Sequence, residues 1–252
     1  MIMPGTVAVI TGGGKGVGAG IARVLCAAGA RACIGYHSSE DLAQKTLAGI
    51  LDKGGEAFLF KADVSDRAQV RAMIEAAAGQ YGRVDALINN AAMQPNKFIR
   101  EYDAASFKWL WNINIGGYWL AAQAALPYLK RSECPRIVNI SSIHGKRPAR
   151  FDAGYAMTKA AISMFTREAA IEFAAYGITV NCIDLGGCKI EGKTGKFPFR
   201  VRWPKETREH GAGWLRFCMP EDVGGLVAYL ISPEARMMIG SGIRLDGGAM
   251  LV

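Results

Sequence analysis

The chain has 252 residues, 50% of them hydrophobic and 21% charged, a size and balance that fit a buried core and exclude a disordered chain. Its formal charge is +8, yet residues 186–216 alone hold eight basic side chains (Lys189, Lys193, Lys196, Arg200, Arg202, Lys205, Arg208, Arg216) against three acidic ones (Glu191, Glu206, Glu209). Basicity gathered in one stretch argues against a nucleic-acid partner and suits the rim of a pocket.

No apolar run approaches the ~20 residues of a membrane span, and the first residues lack the basic-then-apolar pattern of a secretory signal. A cytoplasmic protein with no membrane partner is therefore expected. The six cysteines (Cys26, Cys33, Cys134, Cys182, Cys188, Cys218) and three histidines are scattered. That spacing predicts small buried thiols, with neither a disulfide framework nor a metal site.

Short apolar runs alternate with helix-length segments along the chain. Strands are predicted at 7–10, 32–35, 57–61, 86–88, 137–140, 179–183 and 243–245, and helices at 17–29, 39–53, 67–80, 103–130, 154–176 and 221–232. Near-continuous apolar strands predict burial on both faces. The alternation predicts an α/β protein, a three-layer doubly wound fold around a seven-stranded parallel sheet. Residues 1–252 read as a single domain. The stretch at about 188–215, rich in Lys, Arg, Gly, Pro and aromatics, reads as one inserted substrate-binding loop.

The first strand runs into a glycine-rich turn, Thr11-Gly12-Gly13-Gly14-Lys15-Gly16-Val17-Gly18, and a helix pattern follows. Such a turn lets main chain approach a pyrophosphate, with free N–H groups and dipole at the helix start. After the second strand comes Gly35-Tyr36-His37-Ser38-Ser39, with no Asp until Asp41. The carboxylate that usually binds a ribose 2′-hydroxyl is thus missing. Lys15, His37 and Ser38 together could hold a 2′-phosphate, which favours NADP(H) and leaves NAD(H) as the alternative. Lys15 could instead be solvated and His37 packed on adenine.

Glycines at 12, 16 and 18 behind Thr11 resemble the short-chain dehydrogenase/reductase family, and further motifs follow in that family's order. Asp63-Val64 follows the third strand, where the resemblance implies contact with adenine. Asn89-Asn90-Ala91-Ala92 follows the fourth and is similar to the family's Asn-Asn-Ala-Gly, with Ala92 in place of Gly. Asn114 resembles the helix asparagine of the family's catalytic set, which implies that it holds a proton-relay water. Ser141-Ser142 closes the fifth strand, and Tyr155-Ala-Met-Thr-Lys159 opens the next helix, 13 residues after Ser142. The match runs from Thr11 to Gly248, and implies a Rossmann fold similar to 3-oxoacyl-carrier-protein reductases and glucose dehydrogenases.

Tyr155 and Lys159 are four residues apart and project from one helix face. Moving a phenol from ~10 to ~7 takes roughly 4 kcal/mol, and an ammonium about 4 Å away at an effective dielectric of ~20 supplies about that. Tyr155 is thus expected to serve as acid/base, and the resemblance implies that Ser142 hydrogen-bonds the substrate oxygen. The 13-residue offset favours Ser142 over Ser141. Where the family has Pro-Gly after the sixth strand, Leu185-Gly186 stands here. Gly186 is the one residue of that region expected to let main chain approach the nicotinamide amide.

The pocket is expected to be lined by Gln94, His144, Arg147 and the 188–215 loop; His144 fits an exposed turn equally well. The loop could close over an anionic or polyol substrate, or be a solvated or inter-subunit loop. A sugar-like or acidic secondary alcohol or ketone is the expected substrate, with 3-oxoacyl thioesters and hydrophobic ketones as alternatives. A catalytically silent NADP-binding regulator is the alternative class, and Asn114, Ser142, Tyr155 and Lys159 argue against it. Trp109, Trp111, Tyr118 and Trp119 load the 103–130 helix heavily. With the resemblance, this implies a homotetramer or homodimer.

Overall fold

The computed structural model of the chain describes residues 2–149, 152–190 and 217–251. Seven strands form one parallel sheet: β1 (Val7–Ile10), β2 (Arg31–Tyr36), β3 (Glu56–Lys61), β4 (Ala86–Asn89), β5 (Arg136–Ile140), β6 (Thr179–Leu185) and β7 (Gly242–Leu245). Their spatial order is β3-β2-β1-β4-β5-β6-β7. The central strands β1, β4 and β5 are buried along their whole length, whereas β7 at one edge alternates exposed and half-buried residues.

Among the described residues seven α-helices flank the sheet: α1 (Gly16–Ala27), α2 (Glu40–Leu51), α3 (Arg67–Tyr81), α4 (Ala104–Trp111), α5 (Gly117–Leu129), α6 (Ala153–Phe173) and α7 (Pro220–Leu230). Strand residues point alternately to the two faces, and two cores result. Ala8, Ile10, Ile34, Ile88 and Ile140 pack with Ile21 and Leu25 of α1, Ile50 of α2, and Val223 and Val227 of α7. Val9, Cys33, Leu87 and Val180 pack with Met73 and Ile74 of α3, Leu129 of α5 and Phe173 of α6. No described helix is long and apolar enough to cross a membrane.

The chain runs from β1 outward to β2, then returns to β4 on β1's other side. This reversal of strand order opens a crevice beyond the strand ends, where doubly wound sheets bind ligands. The glycine-rich turn leaves β1 on one side of that crevice, and Asn90 leaves β4 on the other.

The expected 103–130 helix is broken by a π-helical turn at Asn112–Gly116 between α4 and α5. Its cause lies in tertiary bonds: Asn114 is wholly buried and tied to neighbouring elements, and the extra residue in the turn aims it there. Gly117 makes room as well, since a Cβ on it would meet Val64 Cγ2 at 2.9 Å. β6 extends two residues past the predicted 179–183 because Asp184 and Leu185 pair with Arg244 and Leu245 of β7.

Candidate active site

Gly12, at φ +63°, turns the chain as it leaves β1, and a side chain on it would meet the Ala91 main chain at 2.9 Å. Thr11 and Asn90 lace the turn to the end of β4. Thr11 Oγ1 accepts from the N–H groups of Asn90 and Ala91 at 3.0 and 3.1 Å. Asn90 Nδ2 donates to the carbonyls of Thr11 and Gly12 at 3.0 and 2.9 Å. A Cβ on Gly18 would collide with this lacing, 2.6 Å from Asn90 Nδ2. Gly14 is needed for packing: its Cβ would lie 2.7 Å from Ala43 Cβ of α2. Val17 packs into the core, and Ala92 is exposed.

α1 begins with no side-chain cap and no acid in its first turn. Its first N–H groups and its dipole therefore face outward, an arrangement suited to an anion such as a pyrophosphate. Lys15, just ahead of α1, sends Nζ to Ser39 Oγ at 2.7 Å, across to the β2–α2 connection. His37 and Ser38 in that connection are exposed. His37 Nε2 also lies 3.9 Å from Asp63 Oδ2, while Asp63 Oδ1 accepts from Ser65 Oγ at 2.7 Å. Val64 packs beside Gly117 and the α3–α5 core.

The opposite wall carries Ser142, Tyr155 and Lys159. Ser142 caps the short turn Ile143–Gly145 and accepts from the His144 N–H at 3.2 Å. Tyr155 and Lys159 stand in the first two turns of α6. The Lys159 ammonium is buried, donates to the Ile140 carbonyl at 2.8 Å, and lies 5.6 Å from the Tyr155 ring centre. Ser141 faces α6 instead, donating to the Lys159 carbonyl at 2.9 Å. Asn114 uses its side chain on protein: Oδ1 accepts from the Met93 N–H, and Nδ2 donates to the Met93 carbonyl and to Thr158 Oγ1. It clamps the β4–α4 connection to α6. Gln94 is exposed on that connection and donates to Asn96 Oδ1.

The expected lowering of Tyr155 by Lys159 is not what this site does on its own. Burial pushes the Tyr155 phenol up to about 12, with hydrogen bonding to Ser142 working against that rise and the Asp152 carboxylate adding to it. Burial also pulls the Lys159 ammonium down to about 7. Desolvation penalises both charges here and outweighs their pairwise Coulomb attraction. His144 is half-buried and held below its ordinary value by burial and then by the Arg147 charge.

Three positioning groups were not singled out in the sequence. Asp152 caps α6, accepting from the Tyr155 N–H at 2.9 Å, the Tyr102 hydroxyl at 2.7 Å and the Asn96 N–H at 2.8 Å. An Asp three residues before Tyr155 is the capping signal that could have revealed it. Tyr118 of α5 donates its buried hydroxyl to the Ile140 carbonyl at 3.0 Å. Lys146 pairs at 2.5 Å with the wholly buried carboxylate of Asp184, which ties the Ser142–His144 connection to β6. No local sequence pattern marks either of the last two.

Gly186 sits against β7: its N–H donates to the Leu245 carbonyl at 2.9 Å, and a Cβ would meet Asp246 Cα at 2.6 Å. Arg147 donates to the Ala249 carbonyl at 2.8 Å. Phe98, Ile99, Arg100, Ala149, Asp152 and Ala153 line an open cavity of about 430 Å³ beside the start of α6. Most of the expected 188–215 loop lies outside the described residues.

A glycine-rich turn at the switch point of a doubly wound sheet, facing a Ser-Tyr-Lys group, defines a dinucleotide-dependent oxidoreductase. The sequence profile of the short chain dehydrogenases matches residues 6–198, and the chain belongs to that family, the short-chain dehydrogenases/reductases. It is 34% identical, over 98% of each chain, to a Methylorubrum extorquens protein described as an uncharacterized oxidoreductase. It is 32% identical to the cis-4-hydroxycyclohexanecarboxylate dehydrogenase of Sinomonas cyclohexanicum, over 96% of this chain and 95% of that one. Among solved structures, a short chain dehydrogenase from Burkholderia cenocepacia in complex with NADP superposes with a TM-score of 0.86 at 30% identity, covering 99% of this chain and 100% of the other.

Proposed function

We propose that this chain is an NADP(H)-preferring enzyme interconverting a secondary alcohol and a ketone, with Ser142, Tyr155 and Lys159 handling the proton. The observation that carries the reading is the arrangement of Ser142, Tyr155 and the buried Lys159 around the end of β5, across the crevice from the uncapped start of α1. A bound nicotinamide dinucleotide supplies the hydride donor or acceptor. Thr11, Gly12, Gly14, Gly16, Val17 and Gly18 would hold its pyrophosphate, Asp63 and Val64 its adenine, and Asn90, Ala91, Ala92, Tyr155, Lys159 and Gly186 its nicotinamide half. Lys15, reaching Ser39 beside His37 and Ser38, supports a 2′-phosphate there, and NADP in the Burkholderia relative supports the same preference.

Ser142 would donate to the substrate oxygen and hold it within reach of Tyr155. With its value raised by burial, Tyr155 keeps its proton at neutral pH and stands ready to give it to a ketone oxygen. The phenolate left behind would sit beside Lys159, whose charge becomes favourable once that partner exists. Asn114 and Asp152 keep Met93, Asn96 and Tyr155 in register and so shape the mouth of the site.

Gln94, His144 and Arg147 flank the substrate side, and a sugar-like or acidic substrate remains the reading. Arg100 at the apolar cavity supports an acid group on a partly apolar body, as does the Sinomonas relative's named alicyclic hydroxy acid. The apolar walls formed by Phe98 and Ile99 also favour a hydrophobic ketone as the second reading. A single cytoplasmic domain in a homotetramer or homodimer completes the proposal. Exposed Trp109, Trp119, Met157 and Met164 on α4, α5 and α6 support the assembly.

The test is NADPH and NADH binding by fluorescence, followed by a screen of hydroxy acids, sugars and apolar ketones. NADPH binding tighter by about tenfold or more is expected. Tyr155→Phe should keep dinucleotide affinity and lower turnover by ~10²-fold or more. Binding of neither dinucleotide, or normal turnover in that variant, would overturn the proposal.

A further inference from the structure

The chain leaving β6 and the chain entering α7 meet at one point. Cys188 and Cys218 are partners in an isolated parallel bridge. The Lys189 N–H donates to the Cys218 carbonyl at 2.9 Å, and the Cys218 N–H donates to the Gly187 carbonyl at 3.0 Å. Paired strands lie about 5 Å apart, inside the roughly 4.4–6.8 Å between Cα atoms that a disulfide spans. The Cys218 thiol donates to the Gly187 carbonyl at 3.6 Å, and both residues are half-buried, whereas Cys26, Cys33 and Cys182 are buried. Small solutes can therefore reach this pair.

The two sulfurs are not equivalent. The neighbouring Cys188 thiol holds Cys218 below its ordinary value, and the same neighbour together with burial raises Cys188. Cys218 ionises first and is the nucleophile of the two. The bridge also stands beside the dinucleotide crevice. Two residues beyond Cys188, the Ile190 side chain lies against Gly16, and a Cβ on that glycine would touch Ile190 Cγ2 at 3.4 Å.

We propose that Cys188 and Cys218 form a reversible dithiol–disulfide pair that reacts with small-molecule disulfides and fixes the chain lying against the glycine-rich turn. The Cys218 thiolate attacks one sulfur of the reagent, a mixed disulfide forms, and the first reagent thiol leaves. The Cys188 thiolate then attacks the Cys218 sulfur and expels the second reagent thiol. The protein loses two electrons, the reagent gains them, and the two protein thiol protons end on the two released thiols. In a reducing compartment such a pair is open at rest and closes under oxidative load. The effect on dinucleotide exchange rests on the function proposed above, whereas the cross-link does not.

The experiment treats the whole protein with glutathione disulfide, alkylates the remaining thiols and maps the peptides by mass spectrometry. Two of the six cysteines are expected to disappear into one Cys188–Cys218 linked peptide and to return with dithiothreitol. Cys188→Ser should stop at a glutathione adduct on Cys218. NADPH release, followed by stopped-flow fluorescence, should slow several-fold in the cross-linked protein and stay unchanged in treated Cys188→Ser. Six intact thiols, or a link between other cysteines, would overturn the pair. A correct link with equal release rates would overturn its coupling to the glycine-rich turn. Absence of NADPH binding in the reduced protein would instead overturn the proposed function, with the thiol map still deciding the pair.

Discussion

Tyr118 and Lys159 donate to the same acceptor: the Ile140 carbonyl receives the phenol at 3.0 Å and the ammonium at 2.8 Å. The Tyr118 ring centre is 5.8 Å from the Lys159 nitrogen. Two donors compete for one oxygen's electron density, so Tyr118 weakens the bond that stabilises the Lys159 charge. The other titratable groups facing that charge are Tyr155 on α6 and Cys182 on β6.

Tyr118→Phe removes one donor and leaves the carbonyl satisfied. Lys159 should then hold its proton to higher pH, and a more persistent ammonium favours the Tyr155 phenolate. For alcohol oxidation, which needs that phenolate, the rising limb of the pH–rate profile should move to lower pH by about half a unit, and stability should fall by about 1 kcal/mol or less. A profile that stays in place or moves to higher pH would show that Tyr118 only packs.

Lys159 is an expensive residue for the fold. Burial lowers it from 10.5 to about 7, a penalty of about 5 kcal/mol, of which its bond to Ile140 offsets about 2 kcal/mol. Lys159→Met should therefore abolish turnover yet raise stability at pH 7 by about 3 kcal/mol. The sign follows from proton binding: between pH 7 and 10.5 the unfolded chain holds the proton that the folded chain releases, so wild-type stability climbs with pH there. The gap between variant and wild type should narrow from pH 7 to pH 10 in urea titrations. A gap that widens would contradict the account.

The sheet was legible because its central strands are apolar without interruption, and only β6 was misjudged by as much as two residues at one end, where Asp184 looked like a loop residue. The helix α6 was legible because its apolar period runs on from Tyr155 and Lys159, which share one helix face. What escaped depends on contacts distant in sequence. Asn114 reaches Met93 and Thr158, and this breaks a helix that periodicity predicts to be continuous. Tyr118 and Ile140 are 22 residues apart, and Lys146 and Asp184 are 38 apart. Cys188 and Cys218 are scattered thiols in the sequence and neighbours in the fold. Spacing along the helix reveals the Coulomb attraction of Tyr155 and Lys159, whereas the burial that dominates both values depends on tertiary packing.

Lys146→Met tests the tie between the Ser142 connection and β6. The Asp184 carboxylate has no exposed surface, while the Lys146 side chain is 44% exposed. Taking away the lysine leaves a buried charge without its partner, and such losses cost about 3 kcal/mol. Urea denaturation at pH 7 should show that loss. Because Ser142 and His144 lie on the same short connection as Lys146, KM for the alcohol should rise more than kcat falls. Unchanged stability would show that the Lys146–Asp184 pair does not hold this connection in place.

Lys15→Ala tests the cofactor preference. Lys15 spans from the glycine-rich turn to Ser39 at 2.7 Å, next to His37 and Ser38. A 2′-phosphate placed there would bring Lys15 a charge-assisted bond, which an unphosphorylated ribose cannot offer. The variant should bind NADPH about tenfold more weakly, equivalent to about 1.4 kcal/mol, and NADH within about twofold of wild type. Because Lys15 is exposed and makes no core contact, its fold should be unaffected, and thermal denaturation provides the control. Equal weakening of both dinucleotides would place Lys15 at the shared pyrophosphate instead. No change in either would remove Lys15 from the cofactor site and leave His37, 3.9 Å from Asp63, as the residue that reads the ribose.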